Sequence, residues 1–273
     1  MNARDSLSPK LKVRAATKVY ATASGDVLAI DGCSLDVHAG EIVSIVGPSG
    51  CGKTTLLWSM SGLHALTSGD VLLDGNPITG PSPEIGMVFQ DANLLPWRNL
   101  DANVNFPFEI KRQKPDRDWI ARLTHRVGLD GLGGRFPREL SGGMQQRAAL
   151  VRALSFKPSV LLMDEPFGAL DAFTREEMNH LVEEIYLDTI TTIVLITHSI
   201  DEAIFLSDRV IVMSARPGRV ANAYQVPFPR PRSMEIMATR DVFDLTNAIK
   251  MEIVGGQKSM AASALRQTQH AAQ

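Results

Sequence analysis

The segment Val43-Ser-Ile-Val-Gly47-Pro-Ser-Gly-Cys-Gly52-Lys53-Thr54-Thr55 restricts the fold more than any other part of this chain. An apolar run feeds G-x-x-x-x-G-K-T, and an apolar helix pattern opens at Leu56-Leu57. Glycines let backbone N–H groups converge on phosphate oxygens with no Cβ in the way. The helix N-terminus adds partial positive charge at the same place. In such a loop Lys53 reaches the β- and γ-phosphates and the Thr54 hydroxyl ligates Mg²⁺. Gly47, Ser49, Gly50, Cys51, Gly52 and Thr55 complete the expected nucleotide-facing set. Cys51 reads as a small loop filler rather than a redox group, because reduced thiols are the rule in the cytosol.

A strand–loop–helix unit of this kind belongs to α/β architecture, and the rest of the chain repeats the pattern. Strands are predicted at 42–46, 71–73, 85–89, 160–163, 192–196 and 209–213, giving a mainly parallel sheet. A helix is predicted after Asp171, its N-cap, with Met178, Leu181, Val182 and Ile185 at helical spacing. Residues 100–155 lack a strong strand signal and read as helices broken at Pro107, Pro115, Gly128, residues 131–134 and Pro137, which points to an inserted helical subdomain. The final stretch from Gly255 is small and polar and is expected to fray.

Composition closes off several alternatives. The 273 residues suit about one to two domains with a sizeable core. A formal net charge of -2 excludes a chain that coats nucleic acid by bulk charge. The basic clusters at Lys111–Arg117 and at Arg230 and Arg232 read as solvated surface. Two cysteines, Cys33 and Cys51, give no disulfide framework. The start MNARDSLSPK shows no signal-peptide core, and no apolar run approaches the roughly 20 residues that span a bilayer. The chain is expected to work in water or on a membrane surface.

The run Val160-Leu-Leu-Met163 ends in Asp164-Glu165. A strand that delivers an Asp beside a phosphate loop can hold the Mg²⁺ shell, and the next carboxylate, Glu165, can polarise an attacking water. Leu140-Ser141-Gly142-Gly143-Met144 places a serine and two glycines at a helix start, which makes an anion site. This segment closely resembles the LSGGQ signature of ATP-binding cassette (ABC) ATPases, with Met144 in place of the usual glutamine. The family's motifs follow in order: phosphate loop, Gln90 in Met87-Val-Phe-Gln90, the signature, Asp164-Glu165, the D-loop Gly168-Ala-Leu-Asp171, and His198.

The resemblance spans about residues 11–225 and implies a P-loop NTPase core with an antiparallel β region and an inserted helical subdomain. It implies a cassette over 10–230, the subdomain at about 92–156, and a C-terminal helix and flexible tail over 231–273. ATP and Mg²⁺ are the implied ligands. Tyr20 would stack on adenine, Thr54, Gln90 and Asp164 would serve the metal, Glu165 would act as base, and His198 would contact the γ-phosphate. Ser141, Gly142 and Gly143 of a second subunit would close over the nucleotide. Asn93-Leu-Leu-Pro-Trp97, Asp164–Ala172 and Met213-Ser-Ala-Arg-Pro-Gly-Arg219 resemble the nitrate/sulfonate/taurine importers. Leu94, Leu95 and Trp97 are then either the edge of a groove for a membrane subunit or subdomain core. Implied partners are a second ATPase subunit, transmembrane permease subunits and a periplasmic or lipid-anchored solute-binding protein at the cytoplasmic face of the cell membrane, with no nucleic acid. No additional regulatory domain of about 100 residues is expected after the cassette. The competing expectation is a soluble cassette ATPase acting on nucleic acid or ribosomes.

Overall fold

A computed structural model describes residues 8–270, with 257–270 described by backbone alone. Residues 1–7, most of the stretch read for a signal peptide, and 271–273 lie outside the described residues. The chain opens with β1 (Leu11–Thr22) and β2 (Gly25–Val37), then β3 (Ile42–Val46), which runs through the glycine-rich loop into α1 (Lys53–Met60). β4 (Ser68–Leu73), β5 (Asn76–Pro77) and β6 (Ile85–Val88) follow. Next come α2 (Leu100–Lys111), α3 (Arg117–Arg126) and α4 (Gly142–Leu154), with a 3₁₀ turn at Pro137–Glu139. β7 (Val160–Asp164), α5 (Ala172–Thr189), β8 (Thr192–Ile196), α6 (Ile200–Leu206), β9 (Arg209–Met213), β10 (Val220–Gln225), α7 (Met234–Met237) and α8 (Arg240–His270) complete the order.

The strands form two sheets. One is antiparallel, in the order β2-β1-β4-β5; the other runs β10-β9-β3-β8-β7-β6, parallel except for β10 at its edge. β3, β7 and β8 are buried along their whole length, as continuous apolar strands covered on both faces must be. Their side chains alternate between faces. Val43, Ile45, Leu162, Val194 and Ile196 pack with Leu56, Leu57 and Met60 of α1 and with Leu11, Val13 and Val71 of the antiparallel sheet. Leu161, Met163, Ile193 and Leu195 pack from the other face against Leu150 and Leu154 of α4 and Met178, Val182 and Ile185 of α5. Full burial of each such side chain contributes about 1.5–3 kcal/mol. Val46, Val210 and Val212 join α6 and α8 in a third cluster.

The predicted strands agree with the structure to within a few residues, but β1 and β2 carry little sequence signal. β1 shifts register repeatedly between Val13 and Val19, and Ala15 sits at φ +45°, so its alternation breaks in mid-strand. α5 begins as predicted: the Asp171 carboxylate accepts from the N–H groups of Phe173 and Thr174, both at 3.1 Å.

Two expectations need correction. The helix expected to break at Pro107 continues to Lys111. Burial of Leu100, Val104 and Phe108, with Phe108 stacked on Phe156 at 4.0 Å, outweighs the missing backbone donor. The Arg230–Arg232 cluster is not a solvated face. Arg232 is 2% exposed, and its Nη1 donates to the carbonyls of Ile204, Phe205 and Ser207 at 2.7–2.8 Å. Arg230 pairs with Glu183 and Asp208. The unpaired carbonyls at the end of α6 recruit this arginine inward. The backbone of α8 runs through Gly255 to His270.

Both cysteines are buried and free. Burial pushes the Cys33 thiol up to about 11 and raises that of Cys51. A buried thiol held protonated is a poor nucleophile.

Candidate nucleotide-binding site

Because β3, β6, β7 and β8 run parallel, their C-terminal ends lie on one edge of the sheet. Ligands of open α/β sheets bind at that edge. Here a cavity of about 560 Å³ opens, a size that suits a small organic ligand. Gly47, Ser49, Gly50, Gly52, Lys53, Thr54 and Thr55 of the loop after β3 line its floor. Gln90 after β6, Glu165 after β7 and His198 after β8 line its wall.

The loop is shaped to leave donors free. Gly52 stands at φ +97°, where a Cβ would meet the Ile30 side chain at 2.6 Å and the Ala29 carbonyl at 2.8 Å. It is the N-cap of α1, and no side chain caps the helix start. The first N–H groups of α1 therefore lack side-chain acceptors, which is the condition for binding an anion. Lys53 is 6% exposed, and its ammonium donates to the carbonyls of Gly47 and Pro48 at 3.0 and 3.1 Å. Cys51 does not line the cavity; its N–H donates to the Pro48 carbonyl and its side chain is buried.

Thr54 and Asp164, 110 positions apart, meet directly: the threonine hydroxyl donates to the carboxylate at 3.0 Å. Asp164 is 6% exposed, and burial followed by the charge of Glu165 raises its pKa, against the Thr54 bond and Lys53. A cation beside this pair would relieve both unfavourable effects. Among the described residues no group of three or more His, Cys, Asp or Glu forms a metal cluster. A single carboxylate and a hydroxyl, completed by phosphate oxygens, is the donor set that suits Mg²⁺.

Glu165 leaves β7 at φ +45°, a conformation that costs a non-glycine residue about 1–3 kcal/mol. Its N–H donates to the Ile196 carbonyl at 2.9 Å, and its carbonyl accepts from Gly168 at 3.1 Å. The turn brings its carboxylate to 3.5 Å from His198 Nδ1. Gln146 from α4 locks this region from behind. Its buried amide donates to the Gln90 carbonyl at 2.7 Å and the Pro166 carbonyl at 2.6 Å. No sequence reading singled out Gln146, since a glutamine on a helix has no local mark of burial.

Tyr20 lines the opposite end, its hydroxyl 3.0 Å from His64 Nδ1 and Lys18 over its ring at 5.1 Å. Ala29 and Arg216 also line the cavity and were not predicted to do so. The available signal for Arg216 was a Pro-Gly turn directly after an apolar strand. Ser141, Gly142 and Gly143 do not line the cavity. Ser141 is the N-cap of α4, where it accepts from the Met144 N–H, and both Ser141 and Gly142 are exposed. Leu94 packs into the core, Leu95 lines an apolar cleft of about 550 Å³ with Phe106, Ile110 and Phe156, and Trp97 is 72% exposed. Leu94 is thus part of the subdomain core, and Leu95 and Trp97 are not among its buried residues.

Comparison with known proteins agrees with this geometry. A family model described as ABC transporter matches residues 30–168. A taurine import ATP-binding protein of Roseobacter denitrificans is 50% identical over 208 residues, covering 75% of this chain and 78% of its own. An aliphatic sulfonates import ATP-binding protein of Bacillus cereus is 40% identical, covering 82% and 88%. A nitrate transport protein of Klebsiella oxytoca is 43% identical, covering 83% and 89%. Among solved structures, a dimeric ATP-binding cassette in a post-hydrolysis state bound to ADP and Pi superposes with a TM-score of 0.71 at 30% identity, covering 80% of this chain and all of that one. A loop with free helix-start donors, a Thr–Asp pair beneath it and a Glu–His pair beside it, on a chain so matched, mean that this protein belongs to the ATP-binding family of ABC transporters and is an ABC-type ATPase.

Proposed function

We propose that this chain is the ATP-hydrolysing subunit of an importer for a small solute such as nitrate, a sulfonate or taurine. The observation that carries the reading is that the phosphate loop, with Thr54 bonded to Asp164, and the Glu165–His198 pair meet at one cavity, while Ser141, Gly142 and Gly143 do not line it. Lys53 and the free N–H groups of α1 hold the phosphates. Glu165 orients water and takes its proton as the water oxygen bonds to the γ-phosphorus. The bond to the β,γ-bridging oxygen breaks, and ADP and inorganic phosphate are released. His198 contacts the γ-phosphate and steadies Glu165. Thr54, Asp164 and Gln90 would hold Mg²⁺, which when bound neutralises phosphate charge.

The signature of a second copy completes the site, so that binding closes a head-to-tail dimer and hydrolysis opens it. Residues 10–230 form the cassette, 92–156 its helical subdomain and 231–273 its C-terminal extension. No helix among the described residues is long and apolar enough to cross a membrane. In this reading the chain docks on permease subunits at the cytoplasmic face, which a solute-binding protein supplies. The cleft lined by Leu95, Phe106 and Phe156, with Trp97 exposed nearby, supports the seat of the permease. Affinity purification from detergent-solubilised membranes tests this: recovery with integral membrane proteins is expected, and recovery only with ribosomes or DNA contradicts it.

A further inference from the structure

Of the cations near the cavity's lining residues and the loop after β9, Lys18 and Arg219 are already engaged. Lys18 lies over the Tyr20 ring and donates to the Ala65 carbonyl, and Arg219 pairs with Asp31. Arg216 lines the cavity, is exposed, and has no hydrogen bond or ion pair among the described residues. A guanidinium always carries its charge near neutral pH and presents a rigid fork that suits phosphate.

Sheet order locates Arg216 along a bound nucleotide. β9 flanks β3 on the side away from β8 and β7. The loop 214–219 after β9 therefore stands across the phosphate loop from His198 and Glu165, which face the γ-phosphate. The same loop is fastened to β2: the Gly218 N–H donates to the Ala29 carbonyl and the Gly218 carbonyl accepts from the Asp31 N–H, both at 2.9 Å. Ala29 lies two residues from Val27, the pairing partner of Tyr20. The loop is also packed tightly on the phosphate loop, since Gly218 is buried against the Cys51 carbonyl with no room for a Cβ. Arg216 thus projects from a fixed platform at the base-and-ribose end.

We infer that Arg216 binds the α-phosphate of the nucleotide, a group common to ATP and ADP. The inference rests on the nucleotide-site reading above. Its signature is a loss of affinity that ignores the γ-phosphate. Titration of the full chain with ATP and with ADP, for wild type, Arg216→Ala and Arg216→Lys, tests it. Loss of one charge-assisted contact weakens binding by about tenfold or more. Arg216→Ala is expected to raise Kd for both nucleotides by the same factor and KM with it, while kcat moves less than twofold. Arg216→Lys should recover part of the loss. Unchanged Kd for both nucleotides overturns the inference. So does a loss confined to ATP, which would assign the γ-phosphate, or a fall in kcat at unchanged affinity, which would assign a contact to a second copy. A wild-type chain that binds neither nucleotide overturns the site reading itself.

Discussion

Replacing Arg232 by methionine probes the least expected feature of the core. The guanidinium donates to Ile204, Phe205 and Ser207 through Nη1 at 2.7–2.8 Å, and to Phe228 through Nη2 at 3.1 Å. Three of those carbonyls belong to the end of α6, where no further turn supplies N–H donors. Methionine fills much of the volume but donates nothing, and each orphaned buried carbonyl costs about 1–3 kcal/mol. Burial lowers the Arg232 pKa to about 10, so the group is still charged at neutral pH, and removing it recovers part of a desolvation cost. Glu183 is not left bare, because it keeps the Arg232 backbone N–H at 3.0 Å and the Arg230 side chain at 3.3 Å. The balance is a loss of about 3–5 kcal/mol, in the range for breaking a buried charged network. For a domain of this size that lowers Tm by about 10 °C. Urea unfolding should show a lower midpoint with an unchanged slope. α6 begins two residues after His198, so hydrolysis should fall as well. A stability change under about 1 kcal/mol would refute the argument that α6 is held by this side chain.

Other outcomes follow from the same contacts. The raised pKa of Asp164 means that its charged form destabilises the free fold above that pKa, and that this penalty disappears as pH falls below the usual carboxylate value of about 4. Asp164→Asn should therefore be more stable than wild type at pH 7 and no more stable near pH 3 in thermal unfolding, while Mg²⁺-dependent hydrolysis is lost. Gln146→Leu removes the donor from the Gln90 and Pro166 carbonyls and should cost about 2 kcal/mol in denaturant titration. Its kcat should fall more than its ATP affinity, because the bonds hold Gln90 and the residue after Glu165 rather than the phosphate loop.

Much of the parallel sheet was legible because β3, β7 and β8 are buried along their length and so are mostly apolar. β3 and β8 match their predicted limits, and β7 runs one residue further to Asp164. β1 and β2 were not read as strands, since a half-exposed, bulged pair keeps no clean alternation. Local chemistry identified Asp171 as an N-cap because the capping bonds are made within three residues. Arg232 was misread for the opposite reason: its acceptors come from α6 and the segment after β10, and nothing adjacent in sequence announces them. Within the site, Lys53, Thr54, Asp164, Glu165 and His198 were marked by motif and converge in space. Arg216 reaches the same cavity only because β9 lies next to β3.

In the proposed mechanism this cavity hydrolyses ATP only when a second copy closes over it, with Glu165 as the group that handles the attacking water. Glu165→Gln keeps the volume and hydrogen-bonding reach of the side chain but cannot take the proton, a loss of about 10²–10⁴ in rate. Size-exclusion chromatography of this variant with Mg²⁺-ATP, read beside phosphate release, is the most direct measurement. A stable dimer that retains ATP and releases almost no phosphate is the predicted result. A monomer with bound ATP, or rapid turnover in the variant, contradicts it.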